Sequence, residues 1–394
     1  MFKKLIIQKM KKIIVLLFIS SIYSAISQDI TNNRFGKGLI NVFAKDSSWK
    51  AKVDFRFQTR YDGFYDYSAD SFINRAYVRR ARIKGNGYAF SPKLKYKFEY
   101  DVHNGFVLDA VVKWNFAGNW TVWFGQTKLP GNIERVFSSQ KLQLVDRSLL
   151  NSKFTLDRDA GAQLRHHFKI GNQFVVREIF AISQGEGLNQ KSATNGNGYT
   201  GRLELLPFGL FTKKGDYFAS DLKRELTPKL MFSITYDYNQ NAMRNRGQMG
   251  DFLNVQLSEL RDLETIFLDA HFKYKGLSFF GEYANRVTKN GSAVVEASYD
   301  IAGDIVSVNK SYYTGSSVNL QMGYLMKNNW EFAGRFTHVN PESITLNNDI
   351  KQYTLGFSRY VVGHNLKVQG DISLTQEASK ENKMMFRLQT EFNF

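Results

Sequence analysis

The sequence predicts an all-β fold: a transmembrane antiparallel β-barrel of about 16 strands. Three observations lead there. Oily and charged residues alternate with period two along most of the chain, no segment past the N-terminal region reaches ~18 uninterrupted apolar residues, and the chain begins with an export signal.

In the export signal, Lys3, Lys4, Lys9, Lys11 and Lys12 form a basic start, Ile13 to Ile22 an apolar core, and Ala25-Ile26-Ser27 offers small residues to a signal peptidase. The expected organisation is a removed signal over 1–27, an N-terminal periplasmic segment over 28–48, and a barrel over 49–394. The apolar core is about half the ~20 residues of a spanning helix. The absence of cysteine excludes a lipoprotein anchor, disulfides and thiolate metal sites. The net charge of +17 becomes +12 once the five signal lysines are set aside, and a basic balance suits an anionic solute or a lipopolysaccharide surface.

Alternation is clearest where Val53, Phe55, Phe57, Thr59 and Tyr61 interleave with Lys52, Asp54, Arg56, Gln58 and Arg60, and where Leu94, Tyr96, Phe98 and Tyr100 interleave with Lys93, Lys95, Lys97 and Glu99. Successive side chains of a strand point to opposite faces, so each such strand has one oily and one charged side. The pattern places strands near 49–61, 75–86, 92–103, 106–116, 119–126, 158–168, 173–183, 198–207, 229–239, 263–275, 277–287, 312–326, 329–339, 351–360, 364–375 and 383–394. An even number suits a bacterial single-chain barrel. Tight joins such as Ala117-Gly118-Asn119 and Ile170-Gly171-Asn172 follow even-numbered strands, while most joins after odd-numbered strands are long. Two joins break the rule: the third, around Asn104-Gly105, is short, and the eighth, 208–228, is long.

A soluble β-sandwich also alternates, but aromatic residues near most strand ends, among them Tyr61, Trp114, Trp120, Tyr236 and Trp330, fit the interfacial girdles of a membrane barrel. The last strand puts Met384, Phe386, Leu388, Phe392 and Phe394 on one face, which resembles the assembly signal of outer-membrane barrels. Arg79 and Arg359 fall on oily faces, and the strand near 173–183 turns either Arg177 or Glu178 outward. A register slip at a bulge, or contact with another subunit, would explain them.

The six histidines are scattered and none pairs at helical zinc spacing, and no nucleophile elbow, phosphate loop or dinucleotide fingerprint occurs. No enzyme activity, cofactor, metal or nucleic-acid partner is expected, although a Ser-His hydrolase would leave no local signature. The charged faces are more informative. Bases outnumber acids there, and the hairpin of the second and third strands collects Arg80, Arg82, Lys84, Lys93, Lys95 and Lys97 on one wall, beside Arg56 and Arg60. Inside a narrow low-dielectric tube such a wall focuses a positive potential and recruits anions. The longest connection, 127–157, would be the third extracellular loop, and its own apolar residues (Val136, Phe137, Leu142, Leu144, Leu149) favour folding into the lumen over capping the mouth. Lys128, Arg135, Lys141, Arg147 and Arg158 would then line a constriction.

Around this loop stand Gly125-Gln126, Lys128, Pro130, Glu134-Arg135, Ser138-Ser139, Asp146-Arg147-Ser148 and Arg158-Asp159-x-Gly161-x-Gln163-Leu164. Gly36-Lys37-Gly38-Leu39, Arg79-Arg80-Ala81-Arg82, Gly201-Arg202-Leu203-Glu204 and Leu206-Pro207-Phe208-Gly209 complete a series that spans nearly the whole exported chain. In this order the motifs resemble the phosphate-selective porin O and P family. The resemblance implies a sixteen-stranded, trimeric outer-membrane porin with its third loop as an eyelet and basic residues along an anion path, phosphate included. Asp146 stands where glutamate is more usual, and Leu129-Pro130-Gly131 lacks an aromatic after the proline; these departures bear on phosphate specificity, not on the fold. A general or sugar-permeable porin, a barrel enzyme and an adhesin remain the alternatives.

Overall fold

The computed structural model describes residues 35–67, 70–191 and 196–394; the export signal and residues 28–34 lie outside the described residues. Among the described residues nineteen strands follow one another: β1 (Ile40–Phe43), β2 (Trp49–Asp66), β3 (Ser71–Ala89), β4 (Leu94–Asp101), β5 (Phe106–Ala117), β6 (Trp120–Lys128), β7 (Arg158–Ile170), β8 (Phe174–Ser183), β9 (Gly198–Leu206) and β10 (Lys229–Ala242). The series continues with β11 (Arg261–Tyr274), β12 (Leu277–Lys289), β13 (Val294–Tyr299), β14 (Ile305–Ser311), β15 (Gly315–Leu325), β16 (Trp330–Pro341), β17 (Ile350–Val362), β18 (Leu366–Glu377) and β19 (Lys383–Asn393). Sixteen of them, β2–β12 and β15–β19, pair antiparallel in sequence order and close where β19 meets β2. Each of the sixteen strand positions expected from the alternation is occupied.

Strand β1 pairs with the first residues of β2, Ile40 opposite Val53, and the Phe35 ring lies 5.5 Å from that of Phe394. Phe35 and residues 40–43 therefore lie against the barrel wall. Strands β13 and β14 form a separate hairpin in the connection from β12 to β15.

The alternation produces an inversion of the usual globular pattern: Phe124 is 72% exposed on the outside while Arg56 is 0% exposed on the inside. No described helix is long and apolar enough to cross a membrane; an oily outer face on a closed sheet is the surface that a spanning barrel presents to lipid. Closure is welded on both faces. Outside, the Phe57 and Phe392 rings stack at 5.1 Å and 4°. Inside, Arg56 Nε and Nη2 donate to Glu391 Oε1 and Oε2 at 2.5 and 2.9 Å.

The misfit charges resolve individually. The β2–β3 register shifts between Gln58 and Thr59, whose partners are Arg80 and Val78, so Arg79 is a bulge residue. The bulge turns it inward, where its Nη2 lies 3.6 Å from Asp146, and it does not face a neighbouring subunit. Arg177 points inward to Glu204 at 3.1 Å, leaving Glu178 outside in a pair with His166 at 2.9 Å. Arg359 is outward but lies beside the β16 turn, donating to the Asn328 carbonyl with its guanidinium 5.8 Å from the Trp330 ring centre. A long cationic side chain near a strand end reaches the interface in this way.

Replacing Arg56 by Ala strips a fully buried Glu391 of its counter-charge, and removing one partner of such a pair costs about 3–5 kcal/mol. The Arg56→Ala barrel should lose its folded, heat-modifiable gel band at a clearly lower temperature than wild type, and an unchanged transition would refute the assigned role of this pair in closure.

Candidate functional site

Two connections fold inside the barrel. The first runs from Leu129 to Asp157 and carries helices α1 (Ile133–Val136) and α2 (Leu149–Phe154), the latter capped by Ser148, whose side chain accepts from Asn151 N at 3.1 Å. Its apolar residues make the core of the lumen: Leu129, Leu150, Phe154 and Leu156 pack with Phe267, Ala284 and Val339, and Ile133, Phe137 and Leu142 with Val175, Met231 and Phe280. Inward polar groups of the wall hold its backbone. Glu282 Oε1 accepts from Glu134 N at 2.8 Å, Asp371 from Val145 N at 3.0 Å, and Arg286 Nη2 donates to Phe154 O at 2.6 Å.

The family-like motifs clasp one another within this loop. Glu134 accepts from Ser148 N at 3.0 Å and Ser148 Oγ at 2.5 Å, and Arg147 Nε donates to Glu134 O at 2.9 Å. Gly125, at the start of the series, has φ +120°, and a Cβ there would sit 2.2 Å from Ala110 O, so no other residue fits without displacing the neighbouring strand.

The loop lies against β9–β12, β15–β18 and β2 and leaves a space beside β4–β8. There a cavity of about 660 Å³ is lined by Arg79, Arg80, Arg82, Lys97, Lys113, Lys128, Arg135, Lys141, Arg147, Arg158, Arg165, Arg202, Lys213 and Lys214, against five acids, Glu99, Asp101, Asp109, Asp157 and Glu204.

Many of the basic residues expected on an anion path line this cavity, held in different ways. Arg82 is paired with Glu99 at 3.1 Å and Asp101 at 3.2 Å, and Lys97 with Asp109 at 2.8 Å. Arg158 binds Asp109 at 3.1 Å, and Arg135 Nε donates to Asp157 at 2.9 Å. Lys128, which the structure places at the end of β6, gives its ammonium to the carbonyls of Arg135 and Phe137 at 2.6 and 2.9 Å. Lys141 rests on the Phe218 ring at 3.7 Å. Arg80 donates to Gln58 at 2.7 Å and lies 3.7 Å from Asp146.

Five expected residues lie off the cavity. Arg56 and Arg60 are buried behind the loop, Arg60 bonding Asp146 at 2.9 Å, and Lys84 reaches Gln140 at 3.4 Å. Lys93 is in the turn before β4, and with Lys95 it is exposed at the barrel rim. The wall of six cations is thus divided, because strand alternation assigns a face but not a height along the pore.

Two further cations of the cavity, Lys113 and Arg165, which strand alternation also turns to the lumen, gather on an aromatic ring. Trp123, pointing inward from β6, has Lys113 Nζ 3.6 Å and the Arg165 guanidinium carbon 3.9 Å from its ring centre. Among the described residues neither cation has a carboxylate within ion-pair distance. Burial dominates the shift at Lys141, opposed by Asp216 and aided by Lys214 and Lys97, and pushes its ammonium down to about 8. Burial alone would raise Asp146, but Arg80, Arg60 and Arg79 outweigh it and hold the carboxyl well below the usual range. Three guanidinium groups thus surround one carboxylate. Among the described residues, no three His, Asp or Glu are grouped to hold a metal ion.

A closed sixteen-stranded barrel, oily outside and charged within, with a long connection packed against its inner wall, has the architecture of an outer-membrane porin channel. The chain belongs to the phosphate-selective porin O and P family, whose pattern matches residues 51–394. An uncharacterized protein of Aquifex aeolicus (strain VF5) is 24% identical over 324 residues, 78% of this chain and 69% of that protein. Among solved structures, the outer-membrane channel DcaP of Acinetobacter baumannii superposes with a TM-score of 0.54 at 12% identity, over 90% of this chain and 100% of that one. The anion-selective porin from Comamonas acidovorans gives 0.54 at 11% identity, over 88% and 100%. These likenesses concern the fold.

Because the Lys141 charge is lost as pH rises through about 8 while Asp146 stays ionised, the channel's anion-to-cation permeability ratio should fall between pH 7 and 9. The decline should shrink in Lys141→Arg, whose guanidinium keeps its charge. Reversal potentials across that pH range test this, and identical profiles for the two proteins would exclude Lys141 as a contributor.

Proposed function

We propose that the chain gives small anions, phosphate included, a passive path across the outer membrane, without cofactor or energy input. The observation that carries this reading is the cavity's fourteen cations set against five acids. In a low-dielectric tube that excess raises the local concentration of anions, and a partly dehydrated oxyanion finds guanidinium and ammonium donors in place of water. The family and its phosphate-selective name support the solute class. The same reading includes removal of residues 1–27 on export, a homotrimer in the membrane, and lipid and lipopolysaccharide around the barrel. The cavity's 660 Å³ is also ample for small neutral solutes, so a general porin of weak selectivity is the second reading.

Reconstitution in a planar bilayer under a salt gradient separates the two. An anion pore gives a reversal potential of anionic sign and a chloride current reduced by phosphate; a general porin gives a potential near zero. Lys113→Gln with Arg165→Gln should lower the anion-to-cation permeability ratio several-fold. Lys289→Gln with Lys310→Gln, which removes as much charge from exposed pairs with Glu264 and Glu296, should change it little, because at ~0.15 M salt a mouth charge is screened over ~8 Å. Equal shifts in the two double variants would refute the placement of the anion path.

For assembly, sizing in mild detergent should show three barrels per particle. A strictly monomeric protein would count against the trimer.

A further inference from the structure

The second inward connection, 207–228, comes from the other end of the pore. It joins β9 to β10 on the side of the tight turns, where a long join is anomalous. The wall anchors it throughout. Lys273 Nζ donates to the carbonyls of Gly215, Phe218 and Ser220 at 2.8, 2.8 and 2.7 Å, and Arg177 pairs with Asp216 at 2.5 Å. Gly276 N donates to Asp221 at 2.8 Å. The segment then meets the loop from the opposite end, Ala219 N donating to Lys141 O at 3.1 Å while the Lys141 ammonium covers Phe218.

This junction divides the turn end of the pore. On one side is the 660 Å³ cavity; on the other is a 420 Å³ chamber lined in part by Lys223, Lys273, Tyr360 and His364. Both chambers include Lys141 and Phe218, so the cation-π contact is their partition. The two sides differ in charge that is open to a solute. In the smaller chamber Lys273 is committed to three carbonyls, and the exposed Lys223 shares the lining with the carboxylate of Asp221. On the larger side Lys213 and Lys214 are exposed and line the cavity, and Asp216, the nearest acid in sequence, is turned away to Arg177. Both lysines have left-handed backbones, φ +51° and +60°. Two successive non-glycine residues in that region are disfavoured and persist only where surrounding contacts impose the shape.

We infer that Lys213 and Lys214 are specificity-determining residues at the turn-end exit of the anion path, and that the path runs through the larger chamber and not the smaller. This rests on the anion-pore reading above. The segment acts as the second half of the constriction: the loop forms one side of the path, and 207–228 closes the smaller lane and presents two ammonium groups to an oxyanion leaving through the larger one.

The test uses the full-length protein in planar bilayers, with chloride and inorganic phosphate as probes. Lys213→Glu with Lys214→Glu should lower the anion-to-cation permeability ratio by about threefold or more and weaken phosphate block from the turn-end side. Lys223→Glu, an exposed lysine of the same segment facing the other chamber, should leave both within experimental error. Because the chain has no cysteine, Lys214→Cys and Lys223→Cys give a second arm that does not require a charge-reversed barrel to fold. A sulfonate-bearing thiol reagent added to the inserted channel should cut anion current at position 214 and leave it unchanged at 223. Equal effects at 214 and 223, or none at 214, in a wild-type channel that does prefer anions would overturn the inference and leave the anion reading standing. A wild type without anion preference would overturn the anion reading itself.

Discussion

Lipid offers the backbone no hydrogen bonds, so every N–H and C=O of a spanning strand has to find its partner on a neighbouring strand, and only a closed sheet leaves none over. The rest of this structure follows from that constraint. Closure of β19 on β2 brings Phe392 to Phe57 outside and Glu391 to Arg56 inside. It also converts two-residue alternation into an oily exterior and a charged interior. Polar groups that would face water in a sandwich face each other here, across a lumen narrow enough for connections to bridge.

The bridging connections explain how the interior becomes positive although carboxylates are plentiful. A cation paired with an acid contributes little net charge. A cation held by carbonyls is different, because dipoles compensate its lost hydration without cancelling its unit charge. Lys128 is held in this way by the carbonyls of 135–137, Arg147 by those of Glu134 and Phe137, and Lys273 by those of 215, 218 and 220. The inward-folded segments thus supply backbone oxygens that stabilise buried positive charge. Acids, meanwhile, are consumed in the scaffold: Glu134 on Ser148, Glu282 on Asn132 and the Glu134 N–H, Asp371 on Arg387.

The motifs shared with the porin O and P family acquire a physical meaning in this frame. Glu134-Arg135 and Asp146-Arg147-Ser148 are the two halves of one clasp, and Arg158 ties the end of the loop to Asp109 on β5. Several basic residues read from sequence as pore lining therefore shape the path as much as they face it. The shorter Asp146 sits among Arg60, Arg79 and Arg80, a cationic group on the wall that its single carboxylate only partly neutralises.

Much of the architecture was legible in the sequence. The period of two fixed which face each residue takes, and the join lengths separated the turn end from the loop end, so all sixteen barrel strands and the inward-folding loop could be expected from local pattern alone. What local pattern could not show was the exception to its own period. One bulge at Arg79 reverses that side chain, and nothing in Tyr77-Val78-Arg79-Arg80 says where the ladder slips, because a bulge is defined by its partner strand. Height along the pore was likewise invisible: Lys95 and Lys97 share a face, yet one is exposed at the rim and the other bonds Asp109 within the wall. Pairing of charges also belongs to the tertiary structure, since Arg56 finds Glu391 across 335 residues and Lys128 finds carbonyls instead of an acid. The sequence by itself determined a barrel and the sign of its interior; only the folded chain decided which cations remain open to a solute, because that depends on what the two inward segments bring against them.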